Sequence, residues 1–329
     1  MYRYEVYNYT EKRRVIFTLE NHFSGDYSVA FEKFIHFYSP DTIVPHPDKK
    51  LLLRKRSERM CRFCYEVEPK VTFKNVAHIM PQLMGNRYLI HDSECDTCNK
   101  KFGIYEDSFA KFLGMMRTAD AMKGQSGVPN FKSADGKLIM AVEKDEKGMD
   151  VVSVFDKGGA EYRENEKSIV LTAIKPSYIP LHVMKCFYKI GYSLLDPTEL
   201  EDYPSLRQII TSGMFDTKLG NFAKAVKFTL PVYNPTPLVV TYKKKEEHSN
   251  EHLPSKIVVI YFGRYVYQFF LINIQDKFMF TEGEKCEWII TPPYYRGKQE
   301  DIFGERIDLS SNVLKKGELD SAVFTFDDI

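Results

Sequence analysis

Four of the six cysteines form two Cys-x-x-Cys pairs, Cys61 with Cys64 and Cys95 with Cys98, and 30 residues lie between the pairs. Zinc in proteins prefers four ligands in a tetrahedron, and each tight Cys-x-x-Cys turn can supply two thiolates. Four thiolates would fill the coordination sphere, whereas a catalytic zinc keeps one open position. The spacing therefore predicts a structural zinc ion that joins the two ends of the enclosed segment.

His78 lies inside this enclosed segment, within "NVAHIMP". A histidine among apolar neighbours is more often a packed side chain than a catalytic one. Here, however, a strand leads to His78, Pro81 ends that strand, and a loop connects it to the second cysteine pair. That pair opens directly into "NKKFGIYEDSFAKFLGMM", whose aromatic residues recur at helical spacing. The order of these elements favours a functional histidine presented by a hairpin.

Taken together, these motifs resemble the HNH endonuclease family, the ββα-metal nucleases, and in particular its zinc-braced branch. The resemblance covers roughly residues 49–125. It implies a ββα-metal fold and the hydrolysis of phosphodiester bonds in nucleic acids. It also implies two kinds of metal, zinc for structure and Mg²⁺ or Mn²⁺ for catalysis. The motifs that carry the resemblance are "CRFC" (61–64), "AHIMP" (77–81), "LMGN" (83–86) and "ECDTCNKKFG" (94–103).

The resemblance also implies roles for individual residues. His78 matches the general base of the family, and a neutral imidazole suits that role near pH 7. Asn99 matches the position that ligates the catalytic divalent ion. Asn86 matches the residue that orients His78 through a hydrogen bond, and His91 is the alternative for that orienting role.

The residue before the general base departs from the family pattern. Many members carry Asp or His there as a second metal ligand, whereas this chain has Ala77. The divalent ion is then left with Asn99, water and substrate oxygens, and His91, Glu106 or Asp107 could add a ligand. The alternative for Glu106 and Asp107 is a solvated helix face.

Contacts with phosphates are expected from a basic segment before the first cysteine pair and from the start of the following helix. The net charge is only +1, so any attraction of nucleic acid must be local. Such contacts give affinity without base preference, and the alternative is an ordinary solvated linker. The residues expected to contact phosphates are Lys49, Lys50, Arg54, Lys55, Arg56, Arg59, Lys100 and Lys101.

The favoured function is a metal-dependent endonuclease that acts on nucleic acid, with DNA favoured over RNA. The alternative is a non-catalytic zinc-ribbon protein that binds nucleic acid, in which Ala77 reflects lost catalysis. A role in bacterial defence against foreign DNA is implied by the resemblance alone. The polar N-terminus and the short apolar runs predict a cytoplasmic protein without membrane contact. An activating ligand or partner at the C-terminal region, and an oligomer, are both left open.

The surrounding elements predict an α+β fold in three regions. Residues 1–48 are expected to form a β-rich extension that ends in a proline-containing linker. Residues 49–125 are expected to form the HNH nuclease module. Residues 126–329 are expected to form a separate mixed α+β domain, with a sensor or specificity role or, alternatively, a scaffold role. Within that domain, the apolar spacing over 181–195 predicts an amphipathic helix.

The remaining elements follow from alternation of polar residues with β-branched and aromatic ones. A helix is predicted for "YSVAFEKFIHFYS", and a hairpin for "KLIMAV" with "DVVSVF". The isolated cysteines, Cys186 and Cys286, are expected to be small core residues. The other predicted strands are "YRYEVYNY", "RRVIFTLE", "KSIVLTAI", "LVVTY", "KIVVIYF", "RYVYQFFLI" and "EWII".

Overall fold

The structure is a computed structural model that describes the chain in segments. The described residues are 2–8, 13–19, 25–44, 60–124, 126–142, 149–153, 159–212, 222–280, 288–294 and 303–325. The helices are α1 (Gly25–Phe37), α2 (Asp96–Leu113), α3 (Met116–Ala119), α4 (Pro180–Leu194) and α5 (Pro204–Thr211). The strands are β1 (Tyr2–Asn8), β2 (Arg13–Leu19), β3 (Tyr38–Val44), β4 (Ala77–His78), β5 (Ile90–His91), β6 (Phe131–Lys132), β7 (Leu138–Val142), β8 (Met149–Ser153), β9 (Ala160–Arg163), β10 (Ser168–Ile174), β11 (Lys224–Lys244), β12 (Lys256–Phe270), β13 (Phe303–Asp308) and β14 (Leu319–Thr325).

The strands form small antiparallel sheets beside one larger sheet. In the larger sheet β11 is central, and it pairs with β12, β13 and β3. Strands β9, β10 and β14 form a second sheet and β6, β7 and β8 a third, while β1 pairs with β2 and β4 with β5. The combination of helices with antiparallel strands, rich in strands after the cysteine segment, confirms the predicted α+β fold.

Several elements lie where the sequence pattern predicts them, namely β1, β2, β7, β8, β10, α1 and α4. The two strands predicted on either side of Gly263 are instead one strand, β12. Gly263 has φ +55° and lies opposite Asn234 at a register shift, so the chain bulges there without ending the strand. The strand predicted from "EWII" is wrong over the described residues 288–290, which lie outside any strand.

The linker predicted after α1 is wrong in its first half. Residues Tyr38–Val44 form β3, which adds to the edge of β11 although it contains Pro40. The register shifts between Thr241 and Tyr242, where Pro40 pairs. Edge strands tolerate proline because one side of the strand needs no hydrogen-bond donor. The rest of the predicted linker, from residue 45, lies outside the described residues.

A continuous cluster of buried apolar residues crosses the domain boundary predicted near residue 125. It joins Phe63, next to the first cysteine pair, to helices α2 and α4 and to strand β12. The ring of Phe109 in α2 lies 5.2 Å from that of Phe187 in α4 and 6.2 Å from that of Tyr267 in β12. The cysteine segment thus packs directly on the later region, and the boundary itself stays a prediction.

Helix α4 lies in the centre of this core. All its residues except His182 are buried, as expected for a helix that is surrounded by protein on every side. Two of the buried residues are lysines, Lys185 and Lys189, each only 2% exposed. Buried cations require compensating partners. The partner of Lys185 is the carbonyl of Ser212, directly after α5, and the partners of Lys189 lie in the cysteine segment. None of the described helices is both long enough and apolar enough to span a membrane.

The C-terminal end of α4 is capped by Arg62, a buried residue of the first cysteine pair. Its Nη1 donates to the carbonyls of Tyr192 at 2.9 Å and Ser193 at 2.7 Å. Its Nη2 donates to the carbonyl of Leu195 at 3.0 Å. The last carbonyls of a helix lack a full set of partners within it, and the helix dipole favours a cation there. This cap attaches the first cysteine pair to α4.

We expect Arg62→Met to lower the free energy of unfolding by about 2 to 4 kcal/mol, because buried carbonyls lose a charged donor. Denaturant unfolding of the two proteins measures the change. The control is Lys70→Met, since Lys70 forms an exposed pair with Glu66 and its loss should leave stability unchanged. Equal stability of the Arg62→Met variant and the wild type would contradict the capping role.

Candidate functional site

The four paired cysteines converge in one cluster. Their sulfur atoms all lie within 4.8 Å of one another, and the Sγ atoms of Cys64 and Cys95 are 3.8 Å apart. Zinc–sulfur bonds of about 2.3 Å in a tetrahedron place the sulfurs about 3.8 Å apart. Cys95 is the N-cap of α2, and its sulfur accepts the backbone N–H of Cys98 at 3.5 Å. The cluster therefore has the ligands and the spacing that a structural zinc ion needs.

The sulfur atoms of the cluster lie close enough to change one another's pKa values. A hydrogen bond from the Cys98 thiol lowers the pKa of Cys61 to about 5, and the same bond raises the pKa of Cys98. Burial raises the pKa of Cys95 to about 12. Zinc binds thiolates, so binding the ion would release the protons that these thiols carry.

The isolated cysteines differ from these four. Cys186 is buried in α4 and is not a member of the cluster, which agrees with the predicted core position. Cys286 lies outside the described residues.

His78 lies on the short hairpin of β4 and β5, between the two cysteine pairs. The hairpin pairs Ala77 with His91 and His78 with Ile90. The His78 side chain is half-buried, and the amide nitrogen of Gln82 lies 2.9 Å from its Nε2 atom. Gln82 begins a 3₁₀ turn directly after Pro81, so the turn brings it back over the histidine. Gln82, which the sequence analysis did not single out, therefore holds the imidazole.

Asn86 does not form the hydrogen bond to His78 that the resemblance implies. Its Nδ2 donates to the carbonyls of Met80 at 2.9 Å and Leu89 at 3.1 Å. Its Oδ1 accepts the backbone N–H groups of Tyr88 at 3.1 Å and Leu89 at 2.9 Å. The buried amide is thus fully engaged with the backbone of the loop between β4 and β5. The expectation failed because sequence spacing does not distinguish a side chain that braces a loop from one that contacts the imidazole.

His91 is also unsuited to the roles that were considered for it. It pairs with Ala77, whereas His78 pairs with Ile90. Since successive residues of a strand face opposite sides, His91 and His78 project from opposite faces of the hairpin. The Nδ1 atom of His91 accepts the backbone N–H of Ser93 at 3.2 Å, and its ring packs 5.9 Å from that of Phe63. The structure therefore places His91 beside the first cysteine pair and not beside His78.

Asn99 lies in the first turn of α2, one residue after Cys98, and is half-buried. Its backbone N–H donates to the carbonyl of Cys95 at 2.9 Å. The cysteine cluster thus fixes the start of the helix and, with it, the position of Asn99. An ion bound there would be held by a side chain whose backbone is part of the zinc-binding turn.

The two acidic candidates on α2 lie further along the helix. Glu106 is two turns beyond Asn99, or about 10 Å along the axis, which separates it from an ion held at about 2.1 Å by Asn99. Burial raises the pKa of Glu106 above its usual value, and the nearby charge of Lys189 offsets only part of that rise. Asp107 is exposed and pairs with Lys111 at 2.6 Å, so it lies on a solvated face of the helix.

Asp96 is a further residue that the sequence analysis missed. It is the first residue of α2, and its carboxylate accepts the N–H groups of Lys74 at 3.0 Å and Asn75 at 2.8 Å, and the hydroxyl of Thr72. These bonds hold the segment before β4 against the start of α2. Its position could have been inferred from the sequence, because acidic residues are common in the first turn of a helix.

The predicted phosphate-contacting residues separate into three groups. Lys100 is exposed at the start of α2, as expected. Lys101 is half-buried and donates to the carbonyl of Thr211 at the end of α5, so its phosphate contact stays a prediction. A lysine stem can reach a buried carbonyl as easily as solvent. The basic segment 49–59, with Lys49, Lys50, Arg54, Lys55, Arg56 and Arg59, lies outside the described residues.

Residues 61–112 match the model of a family described as HNH endonuclease. The match begins at Cys61, ends in α2, and contains the cysteine cluster and the His78 hairpin. No curated protein and no solved structure matches the chain. The segment therefore contains an HNH-type nuclease module, and the family resemblance derived from the motifs is confirmed over these residues.

We expect the purified protein to contain one zinc ion per chain, bound by four thiolates, because the cluster offers four sulfur ligands and no open position. Metal analysis measures the stoichiometry, and the spectrum after cobalt substitution reports the four sulfur ligands. Cys64→Ala should lose the zinc. Cys186→Ala, which removes a thiol outside the cluster, should keep it. A zinc content that is the same in both variants would show that the ion is bound elsewhere.

Proposed function

We propose that the chain is a metal-dependent endonuclease that hydrolyses phosphodiester bonds, with DNA preferred over RNA. The observation that carries this proposal is the position of His78 within the segment that matches the HNH endonuclease model. His78 is half-buried, and Gln82 holds its ring. The same segment closes on itself at the cysteine cluster, and Asp96 at the start of α2 bonds to Lys74 and Asn75, just before the hairpin.

In this proposal His78 is the general base. Its neutral imidazole takes a proton from water, and the resulting hydroxide attacks phosphorus while the bond to the leaving oxygen breaks. Gln82 fixes the direction of the ring. Because an amide nitrogen only donates, proton transfer requires the Gln82 amide to turn its oxygen toward an Nε2–H, which leaves Nδ1 to take the proton from water. Zinc has no role in this step, because the four sulfurs leave it no open position.

Asn99 is the proposed ligand of a catalytic Mg²⁺ or Mn²⁺ ion. Such an ion, when bound, neutralises charge on the phosphate and on the leaving oxygen. An amide oxygen is a suitable ligand for these hard cations, and the helix start that carries Asn99 is held by the cysteine cluster. Lys100, exposed beside it, is suited to contact a substrate phosphate without reading its base.

The first test compares the wild type with His78→Ala on supercoiled plasmid and on single-stranded RNA, in Mg²⁺, in Mn²⁺ and in EDTA. We expect plasmid cleavage that requires the added metal and that falls by about 10² to 10⁴ in the variant, the usual contribution of a general base. His252→Ala removes an exposed histidine and should retain activity.

Three other outcomes are informative. Equal cleavage by the wild type and His78→Ala would assign the base to another residue. Faster cleavage of RNA would reverse the substrate preference. Retardation of DNA in a gel without cleavage in any metal would favour the non-catalytic zinc-ribbon protein over the enzyme.

A second test concerns the metal ligand. We expect Asn99→Ala to raise the Mg²⁺ concentration for half-maximal cleavage by at least about tenfold. Even the loss of a residue that only hydrogen-bonds to a metal ligand lowers metal affinity by about that factor. A metal titration of the cleavage rate measures the change, and zinc content should stay the same. Asn130→Ala, at an exposed position, is the control. An unchanged titration curve for Asn99→Ala would exclude Asn99 as a ligand.

A further inference from the structure

We propose that Lys189, in helix α4, positions His78 for catalysis. Lys189 lies far outside the segment 61–112 that matches the nuclease family, so the matched motifs do not assign it this role. The inference rests on the proposed function of His78 as the general base. It states that the hairpin alone does not hold the base, and that a buried lysine from the later region does.

The contacts of Lys189 carry the proposal. Its ammonium group donates to the backbone carbonyl of His78 and, at 3.4 Å, to that of Ile79. It lies 3.2 Å from a carboxylate oxygen of Glu94, and the two side chains are 3% and 0% exposed. It also lies 5.8 Å from the centre of the Phe102 ring in α2. One cation thus touches the base-bearing strand, the residue before Cys95 and the helix that carries Asn99.

The hairpin needs such an anchor because it is short. Strands β4 and β5 pair over two residues each, and a two-stranded hairpin of that size is marginally stable by itself. The peptide group after His78 is planar, so a bond to its carbonyl restricts the rotation of the backbone that carries the imidazole. Gln82 then sets the ring, while Lys189 sets the backbone beneath it.

A purely structural role explains the pair less well. Burying two charges is costly, and apolar residues of similar volume often replace a buried ion pair without loss of stability. Most buried positions of α4 are apolar, among them the neighbouring Ile190. What an apolar side chain cannot supply is a donor to the carbonyl of His78.

The chain contains a matched control in Lys185, one turn earlier on the same helix. Lys185 is also 2% exposed, and its ammonium donates to a backbone carbonyl, that of Ser212 at 2.7 Å. It lies 5.5 Å from the centre of the Tyr105 ring. These contacts are with α2 and the end of α5 and not with the hairpin. Burial, side-chain type and helix are therefore shared by the two lysines, whereas Lys189 of the two contacts Glu94 and the carbonyls of His78 and Ile79.

The test removes both buried charges at once, in the double variant Lys189→Met with Glu94→Leu, so that neither charge is left unpaired. We expect kcat to fall by about 10- to 100-fold, as for a base displaced by a fraction of an ångström to one ångström. KM and zinc content should stay close to those of the wild type. The melting temperature should fall both in this variant and in Lys185→Met, because each change leaves a buried carbonyl without its donor. Lys185→Met should keep the wild-type kcat.

Amide hydrogen exchange over residues 77–80 provides a readout that does not depend on activity. It should be faster in the double variant than in Lys185→Met. A kcat of the double variant within about twofold of the wild type, or an equal loss in Lys185→Met, would overturn the positioning role. If the wild type cuts nothing, the proposed function fails separately, and equal exchange in the two variants then overturns the anchoring as well.

Discussion

The convergence of the four cysteines is the constraint on which the rest of the site depends, because it joins both ends of the segment that carries His78. Closing a loop of this length costs conformational entropy, and the β4–β5 pairing is too short to repay that cost. The carboxylate of Asp96 adds a second closure at the same place. A zinc ion shared by the two cysteine pairs, which the cluster fits, would supply the stabilisation that the hairpin lacks.

The module also depends on the later region for its core. A segment as short as 61–112 buries too little apolar surface to be stable without help, and its aromatic residues complete their packing against α4 and β12. Basic side chains bridge the same boundary. Arg62 caps α4, Lys189 of α4 reaches the hairpin, and Lys101 of α2 reaches the end of α5. The later region thus contributes directly to the geometry of the site, whatever further role it has.

Local patterns in the sequence predicted the parts of the site that are themselves local. The cysteine spacing, the hairpin around His78 and the position of helix α4 each follow from residues close together in the chain. The predicted amphipathic character of α4 did not hold, because later strands and α2 cover the helix on every side. The roles of Asn86 and Lys101 did not follow, because each side chain could face either the protein or the site, and tertiary packing decides between the two. The contact of Lys189 with His78 joins residues more than one hundred positions apart. No periodicity or spacing in a single sequence indicates such a contact.

The use of basic residues inside the protein changes how the site must attract its substrate. Three basic side chains, those of Arg62, Lys101 and Lys189, donate to carbonyls or pair with a carboxylate inside the fold. They therefore add little to the positive electrostatic potential at the surface that would attract a nucleic acid. Since the whole chain carries a net charge of only +1, any attraction of a nucleic acid must come from a local group of basic residues. At the start of α2, Lys100 is the exposed cation among the described residues 96–101. Under the proposed function, a divalent ion bound at Asn99 would share in stabilising the charge of the reacting phosphate, and the cysteine cluster fixes the helix start that carries this residue.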